Sequence, residues 1–196
     1  MINLNKRCNQ AEITHSAQLK GQIMKKRIMV IGCSGSGKST FSRRLGEITG
    51  IPVCHLDKLF WKNGWVQEDR EVFKEKQLNV IQTDKWIIDG HYMSTMEKRL
   101  ERADLIFFFK IGRIKCITGV IKRVISYRNK TRPDMGEGCN EKIDWEFIKF
   151  IWNFNKIQQK KADNLLKSYP HIKIITFHSR KQADHYLKGA AEYVGK

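Results

Sequence analysis

A chain of 196 residues, 41% hydrophobic and 29% charged, has the size and composition of one globular domain, which excludes disordered, collagen-like and low-complexity readings. Its 37 lysines and arginines against 20 acids leave a formal charge of +17, which implies polyanionic company: nucleic acid, acidic membrane or phosphorylated small molecules. The longest apolar run, 105–109, is far short of the roughly 20 residues that span a bilayer, so a soluble protein is expected.

Residues 1–24 are polar and without an apolar period, and read as a disordered or non-native N-terminal extension ahead of a domain over 25–196. Residues 28–31 read as a buried strand and 39–49 as a helix with Phe41 and Leu45 on one face. A second strand over 52–56, a helix over 68–81, a third strand over 86–88, a helix over 93–102, a fourth strand over 105–109 and a helix over 114–125 continue the alternation. After a glycine-containing loop at 131–139 come a long helix over 141–166, a last strand over 172–177 and a terminal helix. Near-continuous apolar strands, each followed by a helical segment, predict a parallel sheet covered on both faces, with ligands bound beyond the carboxyl ends of the strands. Five scattered cysteines, Cys8, Cys33, Cys54, Cys116 and Cys139, form no C-x-x-C pair, so reduced thiols in a cytoplasmic protein are expected.

The first strand runs into Gly32-Cys33-Ser34-Gly35-Ser36-Gly37-Lys38-Ser39, a full match to G-x-x-x-x-G-K-[ST]. Glycines let backbone N–H groups turn inward around phosphate oxygens, and the helix behind presents its positive end to them. Gly32, Ser34, Gly35, Ser36 and Gly37 are the expected cradle; Lys38 reaches the outer phosphates, Ser39 offers its hydroxyl to Mg²⁺, and Thr40 holds the α-phosphate. The expected ligand is a nucleoside triphosphate, ATP with Mg²⁺.

The other strand ends carry further candidates. Asp57, in His55-Leu56-Asp57, is placed to orient or deprotonate an acceptor hydroxyl; a helix cap is its ordinary alternative. Asp89, after Ile87-Ile88, is placed to hold the Mg²⁺ water shell, and Asp-Gly is equally a common turn pair. Arg123, Arg128 and Arg132 follow the fourth strand within a stretch, 105–133, that holds eight bases and no acid. The segment reads as a lid over about 113–140 whose arginines meet the charge of the transferring phosphoryl group; a solvated basic face is the alternative. Trp61 and Trp65 are candidates to stack on an acceptor, or else pack. Arg180, after the last strand, is a candidate to stack on adenine, or else an ordinary helix-start residue.

These motifs, with Trp86-Ile87-Ile88-Asp89-Gly90-His91-Tyr92 and Lys130-Thr131-Arg132-Pro133-Asp134-Met135-Gly136-Glu137-Gly138-Cys139, resemble the adenylate-kinase-related P-loop kinases, and more narrowly the DNA topology modulation proteins. The resemblance covers most of 25–190 and implies a three-layer α/β fold of the nucleoside-monophosphate-kinase type, with a five-stranded parallel sheet in order 2-3-1-4-5, a short basic lid, and MgATP as phosphoryl donor. Adenylate kinases continue Asp-Gly with Phe-Pro-Arg, whose arginine grips the nucleoside monophosphate, whereas here His91-Tyr92-Met93 follows. Arg70 or Arg99 is expected as a substitute phosphate clamp, with His91 and Tyr92 on the acceptor side. The expected function is phosphoryl transfer from MgATP to a small-molecule acceptor. The alternative is a nucleic-acid-binding protein acting through non-specific charge. Residues 1–27 carry six bases and one acid, so +5 of the +17 lies in the extension and its edge, and the remainder is concentrated around the loop and lid.

Overall fold

The computed structural model describes residues 25–128, 130 and 132–195; the expected N-terminal extension lies outside the described residues. Strand β1 (Arg27–Gly32) alternates Ile28 and Val30 toward one side with Met29 and Ile31 toward the other, and all four are buried. The two sets belong to two separate cores. Phe41, Leu45, Phe107, Phe109 and Phe177 pack with the first; Leu56, Phe73, Trp86, Ile88, Leu100 and Phe108 pack with the second. A strand apolar on both faces is stable only between two helical layers, so the near-continuous apolar runs dictate a three-layer sandwich.

The five main strands are β1, β2 (Val53–His55), β5 (Trp86–Asp89), β6 (Leu105–Phe109) and β7 (Lys173–Phe177). They form one sheet in the order β2-β5-β1-β6-β7, and every pairing is parallel. Counted alone they run 2-3-1-4-5, as expected. The numbering is offset by a small antiparallel hairpin, β3 (Trp61–Lys62) and β4 (Val66–Gln67), which strand periodicity did not reveal because each strand has only two residues.

The helices are α1 (Lys38–Thr49), α2 (Leu56–Phe60), α3 (Arg70–Ile81), α4 (Met96–Leu100), α5 (Arg113–Ser126), α6 (Trp145–Phe154), α7 (Lys160–Leu166) and α8 (Arg180–Val194). Helix α3 starts at Arg70, where Asp69 accepts hydrogen bonds from the backbone N–H groups of Glu71 and Val72. The long helix expected from 141 starts at Trp145, because Asp144 caps it through the N–H of Phe147. A π-helical turn, Asn155–Gln159, divides it from α7. Capping side chains, invisible to apolar periodicity, set these boundaries. Cys33, Cys54, Cys116 and Cys139 are free thiols. Among the described residues no helix is long and apolar enough to cross a membrane.

Because the five strands run parallel, their carboxyl ends share one edge. The loop after β1, His55 at the end of β2, Asp89 at the end of β5 and Arg180 after β7 therefore meet there. Helix α5 lies directly on the loop. A Cβ at Gly35 would collide with the Cys116 carbonyl and come within 2.8 Å of Val120, and one at Gly119 would collide with the Gly35 carbonyl. Only glycine at both positions permits this approach.

Candidate active site

The loop between β1 and α1 wraps the positive end of a twelve-residue helix. No side chain caps α1 and no acid lies in its first turn, so its free N–H groups and dipole are unquenched, as an anion site requires. Gly37 takes a left-handed conformation (φ 102°) at the helix start. The Ser36 hydroxyl is buried without a partner. Lys38 is buried and, with Gly35, Gly37, Ser39 and Thr40, lines a cleft of about 410 Å³.

The strand ends supply the opposite wall. Asp89 is buried, and its Oδ2 accepts a hydrogen bond of 2.8 Å from His55 Nδ1. Burial alone would raise its pKa, yet the charge of Lys38 and the bonds to His55 and Ser39 hold it below the usual carboxylate range. Its second oxygen, Oδ1, is buried with no partner. Asp57 lines the cleft, and Tyr92 donates its hydroxyl to Asp57 Oδ1 at 2.8 Å. Asp57 does not cap α2, whose N-cap residue is His55.

Asp89 Oδ1 and the Ser39 hydroxyl are what a Mg²⁺ ion shared with phosphates requires: a hard oxygen without a competing partner and a hydroxyl beside the phosphate loop. Among the described residues no group of three or more His, Cys, Asp or Glu could hold a metal by itself. The residues fit an ion that takes most of its shell from phosphate and water.

The lid arginines are less free than their acid-free segment suggested. Glu141, whose side chain is fully buried, pairs with Arg123 at 2.9 Å and also with Arg132, which in turn pairs with Asp134 at 2.8 Å. Arg123 and Arg132 both line the cleft. Arg128 does not; it is exposed just beyond α5, so its expected place over the phosphates is not where the fold puts it. Elsewhere in the stretch Lys110 pairs with Asp163 at 2.7 Å, and the Arg113 guanidinium lies 4.0 Å from the Trp152 ring centre. Distant acids and aromatics absorb much of the basic run. At the other end of the cleft, Arg180 donates to the carbonyls of Gly35 and Lys115, each at 2.7 Å, and of Ser36 at 3.3 Å. It braces the loop from behind while lining the cleft near the Arg44–Asp184 ion pair.

Several acceptor-side expectations need correction. Arg99 is fully buried and donates to the carbonyls of Gly90, His91 and Tyr92 at 2.7–3.1 Å, so it holds the segment after β5 and has no reach toward a phosphate. Arg70 is exposed at the start of α3 and does not line the cleft. His91 is packed edge-on against Phe154 at 4.7 Å, away from the cleft. Tyr92 reaches the site only through Asp57. Trp61 and Trp65 meet at 5.4 Å and line an adjoining pocket of about 250 Å³ with Arg123, Lys142 and Phe147. That pocket is tied to the lid loop: Gly64 donates to the Gly138 carbonyl, and Trp65 Nε1 donates to that of Asn140.

Burial of neutral His91 has a measurable consequence. Burial pushes its pKa down from 6.5 to about 4, so the unfolded chain takes up this proton first. Its contribution is intact above pH 6.5 and is lost as pH falls toward 4. About 2–3 kcal/mol should disappear between pH 7 and 4.5, and His91→Phe should flatten that limb of the stability profile in chemical denaturation. An unchanged slope would assign the loss to other groups.

Sequence reasoning missed His55 and Glu141 as site residues. His55 was discoverable, since it precedes Asp57 by two residues at a strand end. Glu141 gave no local signal, because it meets Arg123 and Arg132 only through the fold of the loop.

A family model described as AAA domain matches residues 28–108, from β1 through β6. The ATP-dependent protease ATPase subunit HslU of Rickettsia canadensis (strain McKiel) is 28% identical over 104 residues, 52% of this chain and 23% of that protein. The chain thus spans under a quarter of the length of this curated relative. Among solved structures, a shikimate kinase from Acinetobacter baumannii, in complex with shikimate, superimposes with a TM-score of 0.53 at 17% identity, covering 87% of this chain and 95% of its own. A gluconokinase from Sinorhizobium meliloti 1021 gives 0.50 at 14% identity, with 87% and 91% covered. The chain has the α/β fold, with a five-stranded parallel sheet, of these P-loop kinases.

Proposed function

We propose that the protein transfers the γ-phosphoryl group of ATP to a hydroxyl of a small-molecule acceptor. The observation that carries this reading is the convergence, in one cleft, of Lys38, Ser39, Asp57 and the paired arginines Arg123 and Arg132, with His55 in the lining bonded to the buried Asp89. The loop amides and Lys38 bind the β- and γ-phosphates, and Arg180 and Leu187 border the nucleoside end. Ser39 directly and Asp89 through water would hold Mg²⁺, which when bound neutralises charge between the β- and γ-phosphates. Asp57, its other oxygen steadied by Tyr92, orients the acceptor hydroxyl and takes its proton. The acceptor oxygen bonds to the γ-phosphorus, the bond to the β,γ-bridging oxygen breaks, and ADP leaves with that electron pair. Arg123 and Arg132 stabilise the charge on the transferring group and, with the lid, exclude water.

The acceptor is held beside Asp57 against the Trp61–Trp65 pocket, with Arg123 shared between pocket and cleft. The kinase names of the two structural neighbours agree with this reaction class. The narrower resemblance to DNA topology modulation proteins is part of the proposal and rests on the 32–40, 55–65, 86–92 and 130–139 motifs. The nucleic-acid reading of the charge gains no support from the fold or the comparisons. A cytoplasmic setting is part of the proposal and rests on the free thiols.

Thermal unfolding with MgATP is the first test. A ligand at 100 times its Kd should stabilise the protein by about 2.7 kcal/mol. An ADP-release screen over nucleosides, nucleoside monophosphates and small hydroxylated acids should then show acceptor-dependent turnover. No stabilisation by MgATP would sink the reading.

A further inference from the structure

Of the residues around the cleft, His55 stands out because it makes a specific bond that the reaction as described does not use. It lines the cleft at the end of β2, and its Nδ1 lies 2.8 Å from Asp89 Oδ2. A carboxylate oxygen only accepts, so Nδ1 carries the donated proton. Asp89 is thereby left with one oxygen committed and one, Oδ1, buried and unpartnered.

We propose that His55 is a positioning residue that fixes the Asp89 carboxylate through Oδ2, keeping Asp89 Oδ1 free for the water shell of Mg²⁺. The inference rests on the MgATP reading above and assigns the imidazole a part in metal affinity. Partners of a direct metal ligand alter metal affinity by about 10–100-fold when mutated, and His55, one shell further out behind a water-mediated Asp89, is expected to have a smaller effect of the same kind.

The test compares binding of N-methylanthraniloyl-ATP in excess Mg²⁺ with binding in EDTA, followed by fluorescence. In the wild type Mg²⁺ should tighten binding. In His55→Leu, which cannot donate, that Mg²⁺-dependent gain should fall several-fold, with a much smaller change in EDTA. His55→Asn, whose side-chain N–H can take the place of Nδ1, should recover most of the gain. Melting temperatures without nucleotide establish that each variant is folded, and His55→Asn against wild type suffices should the leucine variant not fold. Equal loss with and without Mg²⁺, or no loss in His55→Leu, would overturn the role given to His55 while leaving the nucleotide site standing. Failure of the wild type to bind the probe would overturn the MgATP reading and this one with it.

Discussion

Replacing Arg99 with methionine should cost about 3 kcal/mol of stability, measured as a shift in the midpoint of chemical denaturation at constant slope. The guanidinium satisfies the carbonyls of Gly90, His91 and Tyr92, with a weaker contact to that of Thr95. Methionine keeps most of the volume and leaves the three well-bonded carbonyls without a donor, at about 1–3 kcal/mol for each buried group left unpaired. The full sum is not expected. Burial lowers the Arg99 pKa to about 10, so the native protein also bears the cost of desolvating this charge, and the substitution removes that cost. The same segment presents Asp89 on one side and Tyr92, the partner of Asp57, on the other, so nucleotide binding should weaken as well. A loss below about 1 kcal/mol would mean that water replaces the guanidinium without strain.

Lys38→Met should abolish most nucleotide-dependent stabilisation. A charge-assisted bond to phosphate is worth about 1.5–3 kcal/mol, so affinity for MgATP should fall roughly 10–100-fold. Loss of a preorganised charge at the transferring group should lower turnover by at least about 100-fold. Methionine preserves the buried stem, but it removes the main charge that keeps Asp89 ionised in the interior. The Asp89 carboxyl should consequently titrate higher in the variant, and the protein without nucleotide should become less stable as pH rises through that value, since ionising an uncompensated buried carboxylate is costly. Thermal unfolding with and without MgATP, repeated across pH, separates the two effects. Unchanged stabilisation by MgATP would remove Lys38 from the phosphate site.

Locally encoded features were legible. The glycine-rich loop, the five apolar strands and the candidate carboxylates at strand ends are patterns within a few residues, and parallel strands oblige their ends to share one edge. Lys38, Ser39 and Asp57 accordingly line one cleft, and the buried Asp89 is bonded to His55, which lines it too. Residues whose role depends on where a loop returns were not legible. Arg99 and Arg70 both follow strand ends on helices, yet one is turned inward to feed backbone carbonyls and the other outward to solvent. Arg123 and Arg132 reach the cleft because Glu141 gathers them, whereas Arg128, between them in sequence, faces solvent.

The charge follows the same division. Sequence by itself determined that the chain is strongly basic, that its bases crowd the segment after the fourth strand, and that a G-x-x-x-x-G-K-[ST] loop follows the first strand. Tertiary structure decided which charges are available. Lys110, Arg123 and Arg132 are paired by Asp163, Glu141 and Asp134, whereas Lys38 is buried in the lining of the cleft. The physical reason is range: periodicity and turn chemistry act over a few residues, whereas a buried charge must find a counter-charge wherever the fold brings one.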